Sequence, residues 1–305
     1  MQWTSGKNEV TFESEGVTLK GSLFLPTDFD PTRRYPIVLV TGSWTTVKEQ
    51  MANLYASRMA AEGIPALTFD FRHWGESGGA PRQYEYPPDK IQDILNAVTF
   101  AQTLPFVDSE RVGGLGVCAS SGYMAYAAGR DARIKSLTLL APWLHDIEIM
   151  RSVYGGAEGV AWRISLADTA KEKYETTGEE EYVPAASPTD ARAGMNFPAE
   201  FIDYYLNSNR GAVPQWPNQF NIMSWRPWLE FDGTVAADDV RVPTLIIHGE
   251  NAAIPEGARK FYARLTAPKE IYWMPGIQFD FYDQEPNVTK SAWAAANHFK
   301  LTLQK

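Results

Sequence analysis

The side chain with the greatest intrinsic reactivity in this chain is its single cysteine, Cys118. It lies in Arg111-Val112-Gly113-Gly114-Leu115-Gly116-Val117-Cys118-Ala119-Ser120-Ser121-Gly122-Tyr123. Val112 to Val117 reads as a strand, and the residues beyond Ser121, rich in small side chains such as Ala125, Ala127 and Ala128, read as a helix. Gly116 and Ser120 place small residues two before and two after the cysteine. A nucleophile elbow needs that spacing, because the turn from strand to helix is too tight for large neighbours. The central side chain then stands at a helix N-terminus, where partial positive charge favours a thiolate. The competing reading of Cys118 is a buried structural thiol. Ser120 and Ser121 are rival nucleophiles in the same turn.

An elbow requires a sheet. Val17 to Leu25 alternates as a strand should, and Ile37 to Val40, Ala66 to Phe69 and Leu137 to Leu140 are short apolar runs. Continuous apolar strands of this length belong to parallel sheets buried on both faces. Between them, Val47 to Glu62 and Pro88 to Leu104 repeat apolar residues with helical spacing. Alternating strands and helices predict α/β architecture with right-handed crossovers. The rhythm stops over residues 143–240. It resumes with the strand Val242 to Ile247, a helix from Glu256 to Leu265, the strand Glu270 to Met274 and a helix from Val288 to Leu303. The expected organisation is a core formed by residues 1–142 and 241–305, with an inserted, mainly helical cap over 143–240. The cap is rich in aromatics, including Tyr154, Trp162, Phe201, Tyr205, Trp225 and Trp228, most of them expected in its own small core. A few could line an apolar pocket. The charged run from Lys171 to Glu181 reads as a solvated face.

Composition narrows the partners. The 305 residues carry 28 Lys plus Arg against 37 Asp plus Glu, a net charge of −9, which opposes binding to nucleic-acid phosphates or anionic membranes. A single cysteine allows no internal disulfide and fits a reducing compartment. No apolar run approaches a bilayer span, and Met1 to Lys7 lacks the apolar core of a signal peptide. A cytoplasmic location, a small-molecule substrate, no nucleic acid and no membrane are therefore expected; a homo-oligomer stays open. There is no His/Cys cluster at metal-ligand spacing, and Gly113-Gly114-Leu115-Gly116 lies inside a strand rather than after it. Neither metal nor cofactor is expected.

The elbow resembles that of the α/β-hydrolase superfamily, with Cys in the usual Ser position as in dienelactone hydrolases. The resemblance runs from Val17 to about Phe299. It includes Val47-Lys48-Glu49-Gln50, Asp70-Phe71-Arg72-His73-Trp74-Gly75-Glu76-Ser77-Gly78-Gly79, Leu140-Ala141-Pro142-Trp143, His248-Gly249-Glu250 and Phe279-Asp280-Phe281-Tyr282-Asp283. It implies an α/β-hydrolase fold with a mostly parallel sheet flanked by helices. It also implies an oxyanion hole from the backbone N–H of Ala119 and of Ser43, with Trp44 next in order. Ser120 replaces the elbow's usual second glycine.

A larger departure concerns the base. Relatives place a histidine after the last strand, whereas this chain reads Pro275-Gly276-Ile277-Gln278-Phe279-Asp280 there. Gln278 occupies the histidine position, and a glutamine cannot act as a base near neutral pH. Of the four histidines, His298 reads as a surface residue and His248 as a strand end. His73 follows a strand at the same sheet edge as the elbow. His145, in Pro142-Trp143-Leu144-His145-Asp146, stands where ligands bind in such sheets and is the substitute base to consider. The acid position holds Ala252, leaving Glu250 as the nearest carboxylate and Asp280 as its alternative. Trp44, His73, Ser120, Trp143, Gln278 and Asp280 are expected around the substrate.

Three functions follow. The first is acyl transfer through Cys118, as a hydrolase or transferase of esters, lactones or thioesters of an apolar or aromatic small molecule. The second is non-hydrolytic chemistry on the same fold, such as cyclisation, elimination, proton transfer or carbon–carbon bond chemistry, since the histidine that activates water is missing. The third is ligand binding without catalysis.

Overall fold

In the computed structural model, which describes residues 3–304, the first half of the chain runs β1 (Gly6–Ser14), β2 (Val17–Leu25), β3 (Tyr35–Thr41), α1 (Met51–Ala61), β4 (Ala66–Phe69), α2 (Pro87–Thr103), β5 (Val107–Val117), α3 (Ser120–Arg130) and β6 (Ile134–Leu140). An insertion follows with α4 (Ile147–Val153), α5 (Gly156–Thr177), β7 (Tyr182–Pro184), α6 (Asp203–Leu206), β8 (Gln219–Asn221) and α7 (Trp225–Leu229). The chain then closes with β9 (Thr244–Asn251), α8 (Pro255–Arg264), β10 (Lys269–Ile277), α9 (Asp280–Asp283) and α10 (Asn287–Thr302). Met1, Gln2 and Lys305 lie outside the described residues, and the reading of the Met1 to Lys7 segment falls partly on them.

Eight strands form one sheet in the order β1-β2-β4-β3-β5-β6-β9-β10. The β1–β2 and β2–β4 pairs are antiparallel, and every later pair is parallel. Ile37 to Val40 and Leu245 to Ile247 are buried on both faces of the sheet, as uninterrupted apolar strands require. This is the α/β-hydrolase fold with a mostly parallel sheet and flanking helices. β1 was not foreseen: only Val10, Phe12 and Ser14 of its nine residues turn inward, a pattern too thin to register as a strand. α1 begins at Met51 rather than Val47 because the preceding loop is tied to the sheet. Asp70, at the end of β4, accepts the Lys48 backbone N–H at 2.7 Å and its ammonium at 3.0 Å.

The insertion contains no strand of the main sheet; β7 and β8 pair antiparallel with each other. Its small core comprises Trp216, Phe220, Trp225 and Trp228, all buried. Trp44 reaches up from the main body to stack on Trp228, with ring centroids 4.7 Å apart. The Lys171 to Glu181 run is mostly solvent-exposed. Among the described residues no helix is long and apolar enough to cross a membrane.

Candidate active site

The elbow forms where β5 ends. The Cys118 N–H donates to the Leu140 carbonyl at 2.9 Å, and the Cys118 carbonyl receives the N–H of Ser121 at 3.0 Å and of Trp143 at 3.0 Å. These bonds hold Cys118 at φ +58°, in the left-handed region that a non-glycine residue enters at a cost. Gly116 explains the need for small neighbours. A Cβ built there would lie 2.5 Å from the Ser120 carbonyl oxygen. Ser120 itself lies in α3 and is buried; its hydroxyl donates to the Gly42 carbonyl, pinning the helix to the end of β3. Ser121 donates to the Gly116 carbonyl at 2.8 Å. Both hydroxyls are thus engaged in structure.

The Cys118 thiol is buried among four donors: the hydroxyls of Ser43 and Tyr282 and the backbone N–H groups of Ala119 and Trp44. Burial outweighs these donors and pushes the thiol above its ordinary value. Ser43 lies 3.1 Å from the hydroxyls of both Tyr282 and Tyr205, so the thiol opens onto a chain of three neutral hydroxyls. Burial raises both tyrosines well above their usual range. The Ser43 backbone N–H is directed at the Met51 sulfur, 3.4 Å away. That corrects its expected role as an oxyanion donor: the amide facing the thiol from this loop is Trp44's.

The loop carrying Trp44 is clamped from two sides. The Thr45 N–H donates to the buried carboxylate of Glu85 at 3.2 Å, and the Thr45 carbonyl receives the Trp216 indole N–H at 2.6 Å. Glu85 also accepts the Tyr123 hydroxyl at 2.7 Å, from the helix that follows the elbow. The Lys90 ammonium lies 2.7–2.8 Å from its two oxygens, within 4.8–5.6 Å of the ring centroids of Phe71, Trp74 and Tyr123. Two charges fully removed from water therefore set both walls of the thiol's surroundings.

Gln278, just past β10, lies in the same cavity as the thiol. Its amide NH₂ donates to the Ala141 carbonyl at 2.8 Å and to the Tyr282 hydroxyl at 3.3 Å, while its carbonyl oxygen accepts the Ala253 N–H at 3.1 Å. The backbone around the Ala252 position thus holds an amide, with no carboxylate in that bond.

The other expected residues are placed elsewhere. His145 is fully buried; its Nδ1 accepts the Trp143 indole N–H at 3.1 Å and its Nε2 lies 2.9 Å from the Trp228 carbonyl. Nε2 therefore carries the proton, both nitrogens are committed, and burial pulls the imidazole down to about 4. His145 does not line the cavity, so the structure corrects its assignment as base: it orients Trp143 beneath Trp228. Glu250 is exposed and paired with Arg259 at 2.6 Å, which corrects its assignment as the acid. Asp280 accepts the Ile277 N–H at 2.8 Å to close a turn. His73 lies 3.0 Å from Asp89. Neither Asp280, His73 nor Ser120 lines the thiol's cavity, whereas Ser43, Trp44, Trp143 and Gln278 do. His298 is half-buried rather than on the surface, beside the Pro243 carbonyl at 3.3 Å.

Tyr282 and Tyr205 were missed as site residues. A signal existed for Tyr282, which lies only four residues after Gln278, across the turn that joins β10 to α9. Tyr205 gave none beyond being one aromatic among many. Glu49, Asp70 and Glu76 converge as a metal site would, but the Lys48 ammonium lies within 3.0 Å of all three.

The cavity above Cys118 has a volume of about 230 Å³. Nine of its seventeen lining residues are aromatic, and none is Asp, Glu, His, Lys or Arg. Such a wall offers apolar surface and no ionic partner.

Residues 37–283 match the model of the alpha/beta hydrolase family. The chain belongs to that family. It is 31% identical to a thiohydrolase of Eupenicillium brefeldianum, covering 88% of this chain and 86% of that protein. It is 26% identical to an acyltransferase of Aspergillus calidoustus, covering 88% and 86% respectively. The crystal structure of a hypothetical protein from Pseudomonas aeruginosa superposes with a TM-score of 0.84 at 28% identity, over 97% of this chain and 93% of that one. Membership of this family, with hydrolase-named relatives, makes the chain an enzyme of the α/β-hydrolase fold acting on a small molecule.

Proposed function

We propose that this protein is an acyl-transfer enzyme that takes an apolar or aromatic acyl group from an ester, lactone or thioester onto Cys118. The observation that carries the reading is the position of the thiol, held at a left-handed elbow beneath an aromatic cavity and faced by the Ala119 and Trp44 amides. The Cys118 sulfur adds to the substrate carbonyl. The two amides receive the charge that develops on its oxygen. Ser43 and Tyr282 pass the thiol proton towards the departing oxygen or sulfur. Residues 143–240 serve as a cap, since Tyr154, Phe197, Phe201, Tyr205 and Trp228 of that segment supply much of the wall. The thiohydrolase and acyltransferase names of two relatives agree with acyl chemistry.

The test is intact mass after exposure to an activated aryl ester such as 4-nitrophenyl phenylacetate. The expected result is a single acyl adduct on the parent enzyme that is absent from Cys118→Ala. An unmodified parent, or an adduct that persists in Cys118→Ala, refutes the reading.

A further inference from the structure

The proposal that follows rests on acylation of Cys118 and concerns what removes the acyl group. Attack by water on a thioester develops positive charge on the attacking oxygen, and a base must take the proton. No residue lining this cavity can do so near neutral pH. The Gln278 carbonyl oxygen is taken by the Ala253 N–H. The His145 ring is closed off by Trp143 and Trp228, and Glu250 lies outside on Arg259. What the site does contain is the Ser43, Tyr205 and Tyr282 hydroxyl chain, whose members can donate one proton while accepting another without acquiring charge.

That equipment suits an acceptor that loses its proton easily. A thiol is more acidic than water by about seven pK units, and its sulfur is intrinsically the stronger nucleophile. Acylation from a thioester, run backwards with a different thiol, needs no group beyond those already present. We propose that the enzyme moves its acyl group between two small uncharged thiols and shields the acyl-enzyme from water. In the second half-reaction the acceptor sulfur bonds to the acyl carbon and the bond from that carbon to the Cys118 sulfur breaks. The acceptor's S–H proton passes through the Tyr282 and Ser43 hydroxyls to the Cys118 sulfur. Nothing is oxidised or reduced, and no charge is created overall. The acceptor must be apolar because the cavity offers no ionic partner. Phe201 and Ile277, which line the cavity yet are 54% and 41% exposed, carry its wall out to the solvent from which the acceptor enters.

The experiment supplies the phenylacetyl thioester of N-acetylcysteamine as donor and benzyl mercaptan as acceptor, with the background measured on Cys118→Ala. Without acceptor, acyl-Cys118 is expected to accumulate in the mass spectrum. With acceptor, the benzyl thioester is expected to form about 100-fold faster than phenylacetic acid. Acid released as fast as the benzyl thioester overturns thiol exchange while leaving Cys118 acylation intact. Failure of the parent to acquire the acyl group overturns the acylation itself. Gln278→His and Gln278→Glu, each checked for folding, place a base in the cavity and are expected to shift the partition towards acid by about tenfold or more. An unchanged partition in both folded variants overturns the assignment of a missing base as the reason water is excluded.

Discussion

Removing the Glu85 carboxylate tests how the site is held. Lys90 is fully buried, with Glu85 as its ion-pair partner and three aromatic rings around it. In Glu85→Ala its ammonium loses the carboxylate bonded to it and keeps only the more distant Asp93, itself bonded to Arg72; stripping one partner from a buried pair costs about 3–5 kcal/mol. An upper bound comes from neutralising the lysine instead, which at pH 7 costs about 5 kcal/mol at 1.36 kcal/mol per pK unit. The Tyr123 hydroxyl and the Thr45 N–H also lose their acceptor, at about 1–3 kcal/mol each where water does not replace it. The bound carries a signature. A buried lysine whose folded pKa lies below its unfolded value destabilises most at low pH. The deficit of Glu85→Ala should therefore shrink by up to about 1.4 kcal/mol per pH unit as pH rises from 7 towards 10. Urea midpoints for the parent, Glu85→Ala and Glu85→Leu/Lys90→Met across that range measure it. The double variant should recover the part owed to charge and keep the part owed to Thr45 and Tyr123. A deficit under about 1 kcal/mol at pH 7, or one that does not change with pH, refutes the reasoning.

Three further outcomes are expected. Burial holds His145 and His248 down at about 4 against an ordinary 6.5. Their neutral forms therefore support the fold fully above pH 6.5, and that support is lost as pH falls towards 4, by about 3 kcal/mol for each. A denaturation midpoint that stays flat from pH 7 to 4.5 contradicts this. Because burial raises the Cys118 thiol above its ordinary value, its alkylation by iodoacetamide should be slow at pH 7 and still climbing at pH 9; a plateau below pH 8 would show an activated thiolate instead. Gly116→Ala drives a Cβ to 2.5 Å from the Ser120 carbonyl and should cost about 1–3 kcal/mol together with the acylation of Cys118. Normal stability and normal acylation would mean the elbow is looser than its geometry states.

The elbow could be read from the chain because its constraint is local: three residues of one turn determine whether the sulfur can stand where it does. The parallel strands were legible for a similar reason, since burial on both faces leaves an unbroken apolar run. β1 escaped because an edge strand with a wet face needs few apolar residues. The hydroxyls proposed to carry the proton were not legible. Ser43 and Tyr282 touch although 239 residues separate them, and nothing near either hints at the other. His145 misled for the opposite reason. It follows the end of β6, as the chain suggests, but its two partners, one indole and one carbonyl 83 residues away, make its ring a fixed strut. Glu250 was the nearest carboxylate along the chain, yet Arg259, on the following helix α8, draws it outward.

The bond from the Trp216 indole to the Thr45 carbonyl has a consequence for how this protein can change over evolutionary time or in an engineer's hands. The peptide that presents Trp44 is gripped by the main body through Glu85 and by the insertion through Trp216, and the insertion also contributes Tyr205 to the hydroxyl chain. The segment is therefore not an interchangeable specificity module. Grafting a relative's insertion onto this body would remove one of two grips on the Trp44 loop along with one of the three linked hydroxyls. Under the proposed mechanism, substrate range and catalytic competence are inherited as a single unit, so new specificities are more accessible through partly exposed cavity side chains, such as Phe201 and Ile277, than through wholesale exchange of the segment that carries Trp216.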